Sequence, residues 1–174
     1  MKTRTYNVYT FAELSDKAKQ RAKDQFAADM GFSWGDEYLA SIKALAAHFD
    51  GKASNWSIDW FASSYSSMSF DMPDEMEPDE IAARLAKLGT FNPETLRGNG
   101  DCLLTGYCGD EDCIDGFRAA WHKGERDLKK LMDAAFDTWI KAAQSDCEAQ
   151  FKDDTFQETA EANNWEYEED GSLA

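Results

Sequence analysis

Two stretches of alternating polarity constrain the fold of this chain most, because the segments around them have helical spacing. Apolar residues alternate with polar ones first at Trp56, Ile58 and Trp60, and then at Met68, Phe70 and Met72. A period of two is typical of strands with one buried and one polar face. We therefore predict an antiparallel pair over 56–60 and 67–72, with the turn at 62–65.

β-structure is also expected at both ends of the chain. Residues 6–11 are rich in aromatic and β-branched side chains, and 164–168 alternate before the turn signal Asp170-Gly171. The predicted sheet therefore contains 6–11, 56–60, 67–72 and 164–168. Such a sheet would bring the two ends of the chain together.

Apolar residues three or four positions apart predict helices elsewhere. In the first helix the stripe is Leu14, Ala18, Ala22 and Phe26, with either Thr10 and Glu13 or Ser15 as its N-cap. Further helices are expected from Ser33 to Phe49, from Asp79 to Leu88, over 114–151 with a break at Gly124, and over 155–163. The pattern as a whole predicts an α+β fold, and 174 residues predict one domain, 1–174.

The net charge is −16, and it is concentrated toward the C-terminus. Residues 1–50 carry seven basic and seven acidic side chains, whereas 151–174 carry one basic and eight acidic ones. An excess of one sign produces a long-range field that selects partners. We expect this field to repel DNA and RNA and to attract a protein with a basic surface.

Acidic residues also form runs that no Lys or Arg interrupts. The predicted partner-binding residues come from these runs: Asp71, Asp74, Glu75, Glu77, Asp110, Glu111 and Asp112, extended by Glu166, Glu168 and Glu169. Acids that serve only solubility are expected to be more evenly mixed with Lys and Arg, and solubility alone is the alternative interpretation. Lys17, Lys19, Arg21 and Lys23 are interpreted as a solvated helix face rather than a nucleic-acid face.

No catalytic motif competes with the charge signal. The chain has no phosphate-binding loop, no nucleophile elbow, and only His48 and His122 as histidines. We predict that the protein is not an enzyme and uses no cofactor.

The cysteines Cys102, Cys108 and Cys113 are the one candidate metal site. With an Asp or His122 they would supply four zinc ligands, but their spacing lacks the tight CxxC of zinc knuckles. Asp110, Glu111, Asp112 and Asp115 are dense enough for calcium but lack the spacing of a calcium loop. We favour small buried hydrophobic thiols beside an acidic loop, and predict no bound metal.

The compartment is also predicted from the sequence. Residues 1–11 lack the apolar core of a signal peptide, and no apolar run approaches the roughly 20 residues of a membrane span. We therefore expect a cytoplasmic protein that makes no contact with a membrane.

Three stretches resemble a family of small acidic phage and prophage proteins. They are YNVYTFAELSDKAKQRAKDQF at 6–26, LLTGYC with the following GDEDCID at 103–115, and NWEYEEDG at 164–171. Some members of this family are labelled as antitoxins of toxin–antitoxin systems. The resemblance implies an origin in a mobile element and brings no catalytic residues.

Charge and resemblance together indicate a function. We expect a phage-encoded inhibitor of a host defence system, such as an anti-CRISPR protein, whose acidic patches occupy the basic nucleic-acid channel of a CRISPR effector or nuclease of the host cell. The alternative is an antitoxin-like or other host-protein-binding module, and an enzyme is the weaker class.

Overall fold

A computed structural model describes residues 7–88, 91–92, 97–98, 104–107 and 109–174. Its helices are α1 (Asp16–Met30), α2 (Gly35–His48), α3 (Pro78–Lys87), α4 (Gly109–His122), α5 (Leu128–Gln150) and α6 (Asp153–Ala162). Its strands are β1 (Lys52–Ser57), β2 (Ser67–Asp71), β3 (Phe91–Asn92) and β4 (Arg97–Gly98). The predicted α+β class is confirmed.

The chain divides into two compact units. The first contains the described residues of Met1–Ser33 together with Asp146–Ala174, and the second contains the described residues of Trp34–Ser145. The expectation of one domain over 1–174 stays a prediction, and the two units are described separately below.

Of the two alternative caps predicted for the first helix, Ser15 caps α1, and Thr10 with Glu13 caps a separate turn that precedes it. Thr10 and Glu13 form a capping box around the 3-10 turn Phe11–Glu13, in which the Thr10 amide donates to Glu13 Oε2 at 2.8 Å. Ser15 then caps α1, since its Oγ accepts from the Ala18 amide at 3.3 Å.

The core of the first unit forms where α1 and α6 bury their apolar stripes. Leu14, Ala18 and Ala22 are buried as the spacing predicted, and Phe26 is half-buried. They share a cluster with Phe11, Phe156, Ala160 and Tyr167. The Phe11 and Phe156 rings lie 4.9 Å apart between centroids.

The ends of the chain meet in this unit, but through less β-structure than predicted. Tyr9 and Tyr167 form an isolated antiparallel bridge, and Tyr167 also bridges to Leu173. Within the described residues the predicted single sheet is wrong, because β1 and β2 pair only with each other. The early turn at Phe11–Glu13 also ends extended structure before residue 11.

The hairpin of the second unit is antiparallel as predicted, but its first strand is Lys52–Ser57, so the prediction of a strand over 56–60 is wrong. The register of the hairpin changes between Ser54 and Ser57. Asn55 adopts a φ of 47° at this irregularity, so the alternation of side chains is interrupted there. Trp56 is consequently 44% exposed, and the prediction that it lies on a buried face is wrong. In β2 the alternation holds, and Phe70 is buried.

The core of the second unit includes the long apolar stripe of α5. Leu128, Met132, Ala135, Trp139 and Ala143 are all buried, which confirms the predicted period. The Trp139 indole N–H donates to the Tyr38 carbonyl at 2.9 Å, so its one polar group is satisfied.

Two predicted helix starts are corrected by the structure. α3 begins at Pro78, a residue whose fixed φ suits the first helical turn, rather than after a cap at Asp79. α4 begins at Gly109, so the acidic segment that the sequence placed in a loop forms the first helical turn. The predicted break after α4 is confirmed at Gly124, whose φ is +99°.

Among the described residues, no helix combines the length and the apolar character needed to cross a bilayer.

Candidate functional site: an acidic surface

The first predicted acidic run lies at the end of β2 and in the connection to α3. Asp71, Asp74, Glu75 and Glu77 are all exposed. Asp71 pairs across the hairpin with Lys52, at 3.6 Å between Nζ and Oδ2. This ion pair joins two residues that are widely separated in the sequence.

Basic side chains also reach the same part of the second unit. Asp71 and Asp74 line a cavity of about 560 Å³ together with Arg126, which precedes α5, and Lys129 in the first turn of α5. The run that is purely acidic in the sequence therefore has basic neighbours in space, which weakens its negative field.

The second acidic run contains a buried member. Asp110 has 0% exposure, and its carboxylate accepts hydrogen bonds from the amides of Leu104, Thr105 and Gly106 at 2.9, 2.7 and 3.2 Å. The Thr105 hydroxyl adds a fourth at 2.8 Å. Asp110 is thus a clamp for the loop 104–107, and its assignment to an exposed acidic surface is wrong.

The hydrogen bonds from the loop explain why an acidic side chain can be buried at position 110. A buried carboxylate is stable only when donors replace its lost hydration, and the loop supplies them. Thr105 Oγ1 also lies 3.2 Å from Oγ of buried Ser41 on α2. The neighbouring Glu111 is exposed and Asp112 is half-buried.

The most continuous acidic surface lies in the first unit, over residues 153–170, which we call the C-terminal acidic segment. This segment contains eight acids and no Lys or Arg. All eight are exposed: Asp153, Asp154, Glu158, Glu161, Glu166, Glu168, Glu169 and Asp170. It includes the predicted Glu166, Glu168 and Glu169.

Helical spacing places part of this segment on one face of α6. Asp154, Glu158 and Glu161 are four and three residues apart, and so follow one another along the helix surface. Phe156 and Ala160 occupy the opposite face and are buried in the core. The core contacts of α6 thereby direct its acids toward solvent.

The alternation of extended backbone places the next acids. Tyr167 is buried, so Glu166 and Glu168 on either side of it project away from the core. The backbone then turns back, since the Glu168 amide donates to the Ser172 carbonyl at 2.8 Å. The Ala174 amide likewise donates to the Glu166 carbonyl at 2.8 Å, so residues 172–174 hold the backbone of Glu166 and Glu168.

Two acids of the segment are neutralised by bases of α1. Lys23 pairs with Asp153 and Arg21 with Asp170, each at 2.5 Å. The hydrogen bond from Lys23 lowers the pKa of Asp153, and Ser172, then Arg21, lower the pKa of Asp170. These pairs use two of the four α1 bases, which supports a solvated face over a nucleic-acid face.

The other six acids keep their charge toward solvent. Within the described residues, none of them lies within 4.0 Å of a Lys or Arg nitrogen: Asp154, Glu158, Glu161, Glu166, Glu168 and Glu169. The acids of α6 were absent from the predicted site. Their shared helix face, opposite Phe156 and Ala160, was the signal in the sequence that could have identified them.

The candidate zinc site is only partly described. Cys102 and Cys108 lie outside the described residues, so the prediction of no bound metal stays a prediction. Cys113 is buried in α4, where burial raises the pKa of its thiol well above the ordinary value. The part of the chain that the structure describes contains no group of three or more metal-ligating side chains.

No family model, curated protein or solved structure matches this chain significantly. The resemblance to phage proteins therefore remains an expectation from the sequence.

Proposed function

We propose that this protein is a phage-encoded inhibitor of a host defence system, of the anti-CRISPR kind, which acts in the host cytoplasm. It binds a basic nucleic-acid-handling surface through the C-terminal acidic segment. The observation that carries the proposal is that residues 153–170 contain no base and that six of their eight exposed acids form no ion pair within the described residues.

The charge spacing in this segment supports competition with nucleic acid. A helix rises about 1.5 Å per residue, so the acids of α6 recur roughly every 5 Å along one face. One strand of DNA carries a charge about every 3.4 Å along its axis. The segment therefore offers a comparable, somewhat lower, density of negative charge to a channel built for phosphates.

Electrostatic attraction of this kind has recognisable consequences. It accelerates association with a basic partner, and it weakens as salt screens the charges. A protein that acts in this way competes with DNA or guide RNA for its target, and it has no need of a catalytic centre.

The proposal is tested by identifying the partner and then asking whether binding is competitive. The purified protein is used to capture proteins from a bacterial host lysate at low salt. Recovery of a nuclease or CRISPR effector, with binding that DNA or guide RNA abolishes, supports the proposal. A captured effector that binds the protein and DNA simultaneously contradicts it.

A second candidate function is an antitoxin-like or other host-protein-binding module. It is favoured by exposed aromatic side chains on the hairpin of the second unit, where Trp56 and Phe61 are each 44% exposed and Tyr65 is 78% exposed. Large exposed aromatics are common in protein interfaces. Recovery of a small toxin in the capture experiment, with loss of binding on Tyr65→Ser, supports this alternative.

A further inference from the structure

We propose that an apolar groove in the first unit binds an aromatic side chain of the partner that is flanked by Arg or Lys. This inference rests on the proposed function, because it names the residue that anchors the partner beside the C-terminal acidic segment. A surface of carboxylates alone attracts many basic proteins, whereas an aromatic anchor in a groove selects among them.

The groove is lined by aromatic rings and is large enough to admit an aromatic side chain. Its volume is about 360 Å³, and its walls include the rings of Phe26, Phe156, Trp165 and Tyr167. The Phe26 centroid lies 5.5 Å from that of Phe156 and 5.2 Å from that of Trp165. Phe156 and Tyr167 are buried, whereas Phe26 and Trp165 are half-buried, so Phe26 and Trp165 are the rings that a guest ring can contact.

The rim of the groove leaves apolar surface exposed to water. Leu173 contributes to the wall and is 55% exposed, although it is an aliphatic residue. Covering Leu173 and the neighbouring rings with a partner's side chain removes this apolar surface from water. The groove is therefore suited to an apolar guest.

The charge around the groove specifies what flanks that guest. Asp29 lines the groove from the last turn of α1, and that turn contains no basic residue. The C-terminal end of a helix already carries partial negative charge, so Asp29 increases the negative potential there. A cation of the partner beside the aromatic residue is favoured at this point.

The acidic segment adds negative charge near the groove. Tyr167 and Gly171 line the groove, and the exposed acids Glu166, Glu168 and Glu169, which form no ion pair within the described residues, are neighbours of these two residues in the chain. Charge complementarity thus favours a basic segment with an aromatic residue, and disfavours an acidic or a wholly apolar segment.

The test uses two short peptides as probes. The first is Arg-Arg-Phe-Arg-Arg with blocked ends, and the second has Ser in place of Phe. Calorimetric titration of the full chain is expected to show the Phe peptide binding at least about tenfold more tightly than the Ser peptide, a difference of one decade in the dissociation constant. Both affinities are expected to fall with added salt.

A matched pair of variants locates the binding. Gln25 is exposed on α1 and lines the groove, whereas Gln20 is exposed on the same helix and lies outside the lining. Gln25→Trp fills the mouth of the groove and is expected to abolish the preference for Phe over Ser. Gln20→Trp is expected to retain it, and equal thermal unfolding of the two variants shows that both are folded.

Charge is tested in the same way. Asp29→Asn is expected to weaken binding of the Phe peptide severalfold, and Asp24→Asn, five residues earlier on α1 and outside the groove, is expected to change it less. Equal effects of the two substitutions contradict a specific role for Asp29 and overturn the placement of the partner's Arg or Lys beside it.

The outcomes separate this inference from the proposed function. Equal, salt-sensitive binding of the Phe and Ser peptides overturns the groove and leaves the electrostatic function standing. A preference for Phe that survives Gln25→Trp also overturns the groove. Failure of the wild-type chain to bind either peptide at low salt overturns both proposals.

Discussion

Tyr9 and Tyr167 exchange two backbone hydrogen bonds, each 2.9 Å long, and so fasten the last residues of the chain to its beginning. The Phe11 ring packs on Tyr167 and on Phe156, with centroid distances of 6.1 and 4.9 Å. The C-terminal acidic segment is therefore part of a packed core, and its carboxylates are displayed by ordered backbone.

Removal of residues 163–174 is expected to destabilise the first unit. The deletion removes Tyr167, which is buried in the core, and Trp165, which packs against it. Loss of one large buried aromatic side chain costs about 3–5 kcal/mol. Chemical unfolding of the truncated and full chains measures the difference, and identical transitions would show that the tail contributes nothing to the core.

Gly171→Ala is expected to destabilise the protein by at least about 3 kcal/mol. A Cβ at this position would lie 2.1 Å from the Ala18 carbonyl oxygen of α1, and the backbone has a φ of +91°. Urea unfolding measures the loss.

The matched control for that substitution is Gly124→Ala. Gly124 has a similar φ of +99° but no atom within 4 Å of an added Cβ. The loss of unfolding free energy in Gly124→Ala therefore reports backbone strain alone and is expected to be about 1 kcal/mol. Equal losses for the two variants would contradict the close approach of Gly171 to α1.

Asp110→Asn is expected to lower the free energy of unfolding by about 3 kcal/mol. The substitution removes the buried carboxylate that accepts the hydrogen bonds of the loop, and it turns an amide NH₂ toward backbone N–H donors. Glu111→Gln, the adjacent and exposed acid of α4, serves as the control and is expected to have little effect. Hydrogen exchange at the amides of Thr105 and Gly106 should accelerate in the Asp110 variant only. Unchanged exchange there would contradict the clamp.

These residues show how far the sequence predicts the structure. Apolar spacing predicts α1, α2 and α5 well, because a helix that buries one face must place an apolar residue about every 3.6 residues. It does not predict the bulge at Asn55, which depends on pairing with β2 and exposes Trp56. It also places Asp110 on the surface, since nothing in the local sequence shows that four donors from 104–106 surround its carboxylate.

The sequence predicts that the candidate surface is negatively charged, but it does not predict which acids form that surface. The run at 71–77 lacks bases in the sequence, yet Arg126 and Lys129 line the same cavity as Asp71 and Asp74. In contrast, the bases that meet the C-terminal acidic segment pair with Asp153 and Asp170 and leave its other acids exposed. Such neighbours come from distant parts of the chain, which a pattern of local charge does not contain.

Acid is expected to remove part of the stability of the first unit. The pKa values of Asp153 and Asp170 lie below the ordinary 3.8 in the folded protein. The unfolded chain therefore binds more protons as the pH falls, so this contribution is complete above about pH 5 and is lost as the pH drops through the folded pKa values.

The double variant Asp153→Asn, Asp170→Asn lacks this contribution. Its unfolding free energy should lie below that of the wild type near neutral pH, and the two should converge in acid. Urea unfolding across this pH range measures the difference. A difference that stays constant down to about pH 3 would contradict the assignment of these pKa shifts to the folded ion pairs.

The central claim is that binding depends on the position of the acids and not only on the net charge of −16. Two triple variants test it: Glu158→Lys, Glu166→Lys and Glu168→Lys in the C-terminal acidic segment, and Asp74→Lys, Glu75→Lys and Glu77→Lys in the connection to α3. Each reversal adds two charges, so both variants carry the same net charge. All six positions are exposed, and both variants should unfold like the wild type.

The decisive measurement is the affinity of these chains for the captured nucleic-acid-handling partner as a function of salt. Wild-type affinity is expected to fall steeply between about 50 and 200 mM salt. The C-terminal triple variant is expected to bind at least about tenfold more weakly with a shallower salt slope, whereas the 74–77 variant keeps most of the affinity. Equal losses in the two variants, or unchanged affinity in the C-terminal one, would contradict the role of the C-terminal acidic segment.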